Sequence, residues 1–277
     1  MLRKLLKHEL HATGRYMWIL YLGMVLVSVV GFLLTMVGNK LDMPETEAEA
    51  VIAGLSIVAV VLCFILLIVA LFITVVLMVY RFYKNFLSDE GYLMFTLPVS
   101  VHQLIWSKLL VATLWQIIAL MIAVLGIGLG LYGLSGSMFA EIEIGIQDSF
   151  ALMGFKLDLN IPVMILEGII YIIAGYAVGV LEFYCVMAVG FGFAKNKALW
   201  SVVLYFAIQT AISVISGVAS IVSTIFAGDV VMESMMEISA MQQWHLNVLG
   251  GVGLNVVLGA VFYVVTVWNL KKRLNLS

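Results

Sequence analysis

The sequence predicts an all-helical integral membrane protein with six transmembrane helices. The first observation is composition, because 64% of the 277 residues are hydrophobic and 11% are charged. A soluble domain has about 45–50% apolar and about 25% charged residues, and a water-soluble fold could not bury so much apolar surface. The second observation is six apolar runs that each exceed the roughly 20 helical residues needed to cross a bilayer core. The third is an alternation of charge between successive connections.

The six predicted spans follow one another in a single transmembrane domain that covers residues 1–277. The first run, Tyr16 to Val37, is too long for the apolar part of a signal peptide and lacks a small-residue cleavage site. We therefore expect it to remain as the first span. The predicted spans cover approximately residues 16–37, 51–80, 105–133, 162–194, 198–227 and 246–270.

The distribution of lysine and arginine predicts the orientation in the membrane. Twelve of the 14 basic residues lie in the N-terminal segment, the second and fourth connections and the C-terminal tail. The other connections contain two basic residues, Lys40 and Lys156, and eleven acidic ones. Since basic connections stay in the cytoplasm, we expect a plasma-membrane protein with both termini cytoplasmic.

The first fifteen residues have an amphipathic pattern. On a helix, leucines share one face and basic residues and histidines share the other. This pattern predicts an interfacial helix that lies along the inner leaflet, with its lysines near anionic headgroups of membrane lipids. A solvated terminus is the alternative. The two faces hold Leu2, Leu5, Leu6 and Leu10, and Arg3, Lys4, Lys7, His8 and His11.

Small residues recur inside the predicted spans. The stretch Gly128-Leu-Gly-Leu-Tyr-Gly133 matches GxGxxG, but it lies within a span and not in a strand–turn–helix unit, so a dinucleotide site is not expected. The pairs Gly126/Gly130 and Gly175/Gly179 have GxxxG spacing. We interpret them as positions where helices pack closely.

No set of residues indicates catalysis, a metal or a resident cofactor. His8-Glu9-Leu10-His11 has HExH spacing and lacks a third ligand, and we interpret His102 and His245 as isolated residues at span ends. Cys63 and Cys185 lie in apolar runs and are interpreted as buried apolar side chains. The chain contains no GxxxxGK[ST] phosphate loop. We therefore expect no enzyme activity in this chain and no nucleic-acid partner, and any ATP hydrolysis would require another subunit.

Glu182 is the residue whose charge would cost the most free energy to place inside the membrane. It lies near the middle of the fourth run, where a charge costs several kcal/mol unless it is paired or hydrated. One interpretation makes it part of a translocation path together with Gln209 and Asn255. The other makes it a hydrogen-bonded carboxyl that joins helices, with Tyr184 or Gln209 as its partner.

The second connection contains start and stop signals for a short helix. Ser88 can cap a helix whose first turn holds Asp89 and Glu90, because acids are favoured at that end. Pro98 breaks the helix, and Ser100-x-x-Gln103 is a capping box that begins the third span. The pattern predicts a short cytoplasmic helix between the second and third spans, with a plain connection as the alternative.

Three segments resemble those of a known family. Ser88-Asp-Glu-Gly-Tyr-Leu-Met-Phe-Thr-Leu-Pro-Val-Ser100, followed by Lys108, resembles the cytoplasmic loop of ABC-2 type exporter permeases of Gram-positive bacteria. Leu5-Leu-Lys-His-Glu-Leu10 resembles their N-terminal elbow helix. Ala188-Val-Gly-Phe-Gly-Phe-Ala-Lys195 resembles the turn after their fourth span.

The resemblance implies a six-span permease that pairs with a second permease subunit, identical or different, and with two cytosolic ABC ATPase subunits. Asp89, Glu90, Gly91 and the Leu97-Pro98 turn would then form the coupling helix that contacts the ATPase. Two other functions stay open. One is a membrane accessory or immunity protein that does not transport, and the other is a secondary transporter that uses Glu182.

Overall fold

A computed structural model describes residues 2–40, 46–88, 91, 98–134, 161–193, 196–227 and 240–273. Throughout these ranges the regular structure is helical and no strand occurs. All six helices contain a stretch long and apolar enough to cross a membrane, which confirms the all-helical class and the number of predicted spans. The helices are α1 Leu2–Lys40, α2 Glu47–Phe86, α3 Val101–Leu134, α4 Ile161–Gly190, α5 Lys197–Ala227 and α6 Ala240–Arg273.

The chain forms two compact units. The first comprises residues 1–80 and 106–149, and the second comprises residues 81–105 and 150–277. The first unit therefore contains α1 with most of α2 and α3. The second contains α4, α5 and α6 together with the second connection and the helix ends beside it, and within it α4 packs against both α5 and α6.

Residues 2–15 continue the first span and do not form the separate interfacial helix that the amphipathic pattern predicts. Contacts with α3 hold α1 on both sides of the expected bend. Trp115 Nε1 donates to Thr13 Oγ1 at 2.8 Å, and Tyr21 OH donates to the Trp115 carbonyl at 2.6 Å. The Tyr21 and Trp115 rings also pack with centroids 5.6 Å apart. Because α3 lies along α1 before and after residue 15, the helix stays unbroken.

Capping interactions fix the starts of two helices. Gln103 N donates to Ser100 Oγ at 3.3 Å, so the predicted cap of α3 is confirmed. The start of α2 has a reciprocal capping box, in which Glu49 N donates to Thr46 Oγ1 and Thr46 N donates to Glu49 Oε2, both at 3.3 Å. Each cap satisfies amide groups that have no partner within the helix.

The two GxxxG pairs differ in their surroundings. A Cβ atom at Gly126 would lie 2.8 Å from the Cβ of Ser28 on α1, and one at Gly130 would lie 2.7 Å from the Phe64 ring on α2. Predicted close packing is therefore confirmed for this pair. At Gly175 and Gly179 a Cβ would meet no atom of the described residues within 4 Å, so the described part of the chain shows no close packing at the second pair.

The helices α4 and α5 approach each other closely beside their connection. A Cβ at Gly190 would lie 2.7 Å from Ser201 Cα, so only glycine permits this approach of the two helices. Asn196 has a φ of 51°, a left-handed conformation that asparagine tolerates better than most residues. Phe193 and Trp200 stack beside the turn with ring centroids 4.8 Å apart. The helix ends at Gly190, four residues before the predicted limit of the span.

Candidate functional site

The buried carboxylate of Glu182 is bound by an amide from the neighbouring helix. Gln209 Nε2, on α5, lies 2.9 Å from Glu182 Oε1 and 3.0 Å from Oε2. The Glu182 residue is 6% exposed. Of the two partners predicted for this carboxyl, the structure therefore brings Gln209 to it. The other, Tyr184, stacks on Phe82 with centroids 3.9 Å apart.

Glu182 lies in the last third of α4, eight residues before its end at Gly190. At 1.5 Å per residue, this places it about 12 Å from the end of the helix. Asn255 lies half-buried on α6 and takes no part in the Glu182–Gln209 pair. Two of the three predicted path residues are thus together. The Gln209 amide donates hydrogen bonds to the Glu182 carboxylate but carries no positive charge to neutralise it. The pair is therefore a polar contact between two helices and not an ion pair.

Part of the predicted coupling helix can be located. Asp89, Glu90 and Leu97 lie outside the described residues, whereas Gly91 and Pro98 lie within them. Gly91 is helical, and its N donates to the Ser88 carbonyl at 2.9 Å. A Cβ at Gly91 would lie 2.8 Å from the Phe86 carbonyl oxygen. The absence of a side chain therefore lets the chain fold back on the end of α2.

The hydroxyl of Ser88 has a different partner from the one predicted. It donates to the Lys84 carbonyl, so it closes the last turn of α2. A cap at the next helix would accept hydrogen bonds from amide groups of its first turn. Two of these amides, those of residues 89 and 90, lie outside the described residues. Ser88 thus ends one helix at the point where the sequence predicts the beginning of another.

The two ends of the second connection contact α4 and α6 within the second unit. At the first end, Phe82 stacks on Tyr184 and the Tyr83 ring lies 5.0 Å from the Phe191 ring. At the other end, His102 Nδ1 lies 2.6 Å from the hydroxyl of Tyr263 on α6. His102 is therefore not the isolated residue that the sequence suggested. Both ends of the connection are therefore in contact with these helices.

A buried ion pair in the first unit was not predicted. Lys108 Nζ on α3 lies 2.6 Å from Glu9 Oε1 on α1, and the two side chains are 4% and 11% exposed. Lys108 lies within α3, seven residues after its start. One feature of the sequence could have indicated that Lys108 is buried. It is followed directly by an apolar run, which predicts burial of that part of the helix.

The remaining histidines do not form a metal site within the described part of the chain. Glu9 points inward to Lys108, whereas His8 and His11 are exposed, so the HExH side chains do not converge. His245 Nδ1 lies 2.5 Å from Glu167 Oε1, so the interpretation of His245 as isolated was wrong. Cys63 and Cys185 are buried and free, as predicted.

No protein-family model, curated protein or solved structure matches this chain.

Proposed function

We propose that the chain is the membrane-spanning permease subunit of an ATP-driven ABC exporter of the ABC-2 type. It would form the translocation path with a second permease subunit and couple to a separate cytosolic ATPase. The observation that carries the proposal is the buried ion pair between Glu9 and Lys108. It joins two of the three segments that resemble this family, the N-terminal segment and the lysine downstream of the second connection.

The contacts of the second connection support a coupling role. Gly91 folds back on Phe86, Phe82 stacks on Tyr184, and His102 contacts Tyr263. An ATPase that pushes on Asp89, Glu90, Gly91 and the Leu97-Pro98 turn would therefore act on two helix ends at once. Such coupling requires that the ATPase make different contacts with this segment in its two nucleotide states.

Glu182 supports a second candidate, a secondary transporter. Its carboxyl is buried, and its partner Gln209 carries no charge. A group of this kind can take up a proton without breaking an ion pair. In the exporter that we favour, Glu182, Gln209 and Asn255 are the polar residues proposed for the path.

The proposal is tested by purifying the full chain from its native membranes in mild detergent. We expect a subunit with a GxxxxGK[ST] loop to co-purify, together with ATP hydrolysis. Glu90→Lys inverts one charge in the proposed contact without altering a span, and it should reduce the amount of this subunit recovered. Recovery without any nucleotide-binding subunit would contradict the exporter. Transport that stops with an uncoupler but survives ATP depletion would favour the secondary transporter.

A further inference from the structure

The C-terminal end of α6 brings basic and aromatic side chains together within the second unit. Lys272 Nζ lies 4.8 Å from the centroid of the Trp268 ring. Lys271 Nζ lies 3.4 Å from His102 Nε2, whose other nitrogen contacts Tyr263 OH at 2.6 Å. We call these five residues the basic–aromatic patch. Both lysines are exposed, and Trp268 is 58% exposed.

No carboxylate neutralises this patch among the described residues. Neither lysine forms an ion pair there, and the sequence of α6 contains no acidic residue. Cations at a helix C-terminus are stabilised by the helix dipole, but this effect is modest and screened at exposed positions. Among the described residues the patch therefore carries a net positive charge that an anion can bind.

An apolar stripe leads along α6 to this patch. Val257, Val261, Val264 and Trp268 follow one another at spacings of four, three and four residues, so they share one face of the helix. They are 61%, 51%, 63% and 58% exposed. Lys272 continues the same face four residues later. The stripe is about 16 Å long, close to the roughly 15 Å of hydrocarbon in one leaflet.

We propose that the patch and the stripe together bind one anionic phospholipid. Its phosphate lies between Lys271 and Lys272, and an acyl chain lies along Val264, Val261 and Val257. Trp268 lies at the boundary between headgroup and hydrocarbon, where tryptophan is enriched in membrane proteins. In the predicted orientation the lipid belongs to the inner leaflet, where anionic headgroups attract lysines that lie close to the membrane.

Charge favours a lipid over a second copy of the chain on this face. In a symmetric pair within the membrane, the same face of each copy would meet at the same depth. That arrangement would bring Lys272 of one copy against Lys272 of the other. An anionic lipid neutralises the same lysines and covers the same apolar surface.

The test measures lipid binding to the full chain by native mass spectrometry, with phosphatidylglycerol and phosphatidylcholine of identical acyl chains. We expect the wild type to bind phosphatidylglycerol on the order of tenfold more tightly. The variant Lys271→Gln/Lys272→Gln should lose most of this preference. Lys84→Gln/Lys197→Gln removes two exposed lysines that lie outside the patch and is the matched control, which should keep it.

Three results would overturn the proposal. The preference could survive in the Lys271→Gln/Lys272→Gln variant, or it could fall equally in the control, which would indicate attraction by overall charge. The third is a dimer mass in the same spectra that Val261→Trp abolishes while phosphatidylglycerol stays bound. That result would assign the stripe to a contact between copies. Melting temperatures of the variants show whether each one is folded.

Discussion

Lys108 Nζ lies 2.6 Å from Glu9 Oε1, in a buried pair that joins α1 to α3 within the first unit. Thr13 extends the contact, because its hydroxyl donates to the Glu9 carbonyl at 2.7 Å and accepts from Trp115 Nε1. Removing one member of a buried pair leaves the other charge without compensation, whereas removing both can be nearly neutral. We therefore expect single and double substitutions of this pair to differ in their effect on the free energy of unfolding.

We expect Glu9→Gln and Lys108→Met each to lower the free energy of unfolding by roughly 3 kcal/mol, because each breaks the buried ion pair. The double variant should lose less than the sum of the two single variants. Reversible unfolding in detergent measures all three. Strict additivity would show that the two side chains act independently and that the ion pair does not hold the segment.

The two glycine pairs should respond differently to alanine. Gly126→Ala places a Cβ 2.8 Å from the Ser28 side chain, and overpacking of this kind costs roughly 1–3 kcal/mol. Gly179→Ala meets nothing within 4 Å and should be neutral or slightly stabilising, because alanine favours helix more than glycine does. Thermal unfolding of both variants in one detergent makes the comparison. Equal losses would contradict the packing assigned to Gly126.

The predicted orientation is tested with single cysteines at two exposed positions, Glu47→Cys and Lys197→Cys. A thiol reagent that cannot cross the membrane should label the first in intact cells and the second only after permeabilisation, because acidic connections are expected outside. The native cysteines, Cys63 and Cys185, are buried, so unmodified protein is the background control. Labelling of Lys197→Cys in intact cells would reverse the orientation.

Glu182 has two roles that substitution can separate. Glu182→Gln should fold normally, because an amide oxygen can still accept from Gln209 Nε2. Glu182→Ala should lower stability by roughly 1–3 kcal/mol, since it removes the two contacts that Gln209 Nε2 makes with the carboxylate. Melting temperature and transport are measured together. Reduced transport in a folded Glu182→Gln variant would assign Glu182 to the path, whereas full transport would assign it to helix packing. A Glu182→Ala variant as stable as the wild type would contradict the observed contact.

Gly91→Ala should weaken coupling to the ATPase. The new Cβ would lie 2.8 Å from the Phe86 carbonyl oxygen, which belongs to the backbone, so the connection must shift. Gly54→Ala is the matched control, because it lies on α2 and meets nothing within 4 Å. We expect less co-purified ATPase and less stimulated hydrolysis in the first variant alone. Normal values for Gly91→Ala would reduce this segment to a plain connection.

Hydropathy predicts the spans well, because a helix that crosses a bilayer needs about 20 consecutive, mainly apolar residues. The predicted spans and the six helices correspond one to one, and the cap at Ser100 is a local signal that the sequence contains in full. The reciprocal cap at Thr46 and Glu49 is also encoded locally, by the Thr-x-x-Glu spacing, but it was not among the predictions. Errors at helix ends arise where polar residues extend a helix beyond its apolar run.

Contacts between distant residues are a different matter. His245 and Glu167 are 78 residues apart, and Lys108 and Glu9 are 99 apart. No periodicity of either helix specifies which face meets which neighbour. Gln209 was named as a partner of Glu182 because a buried carboxyl needs a donor and few polar residues lie in the neighbouring spans. The same reasoning gave no means to separate Gly126, which packs, from Gly179, which does not.

The length of α1 has a consequence for its first four turns. A helix of 39 residues is about 58 Å long, and even a 40° tilt leaves it spanning about 44 Å, more than the roughly 30 Å hydrocarbon core. In a membrane that α1 crosses, we therefore expect its charged N-terminal turns to extend into the headgroups or water, where Glu9 and Thr13 hold them to α3. The same residues have the composition of a helix that lies flat on an anionic membrane. Because lying flat would separate Glu9 from Lys108, we expect the ion pair to oppose that arrangement.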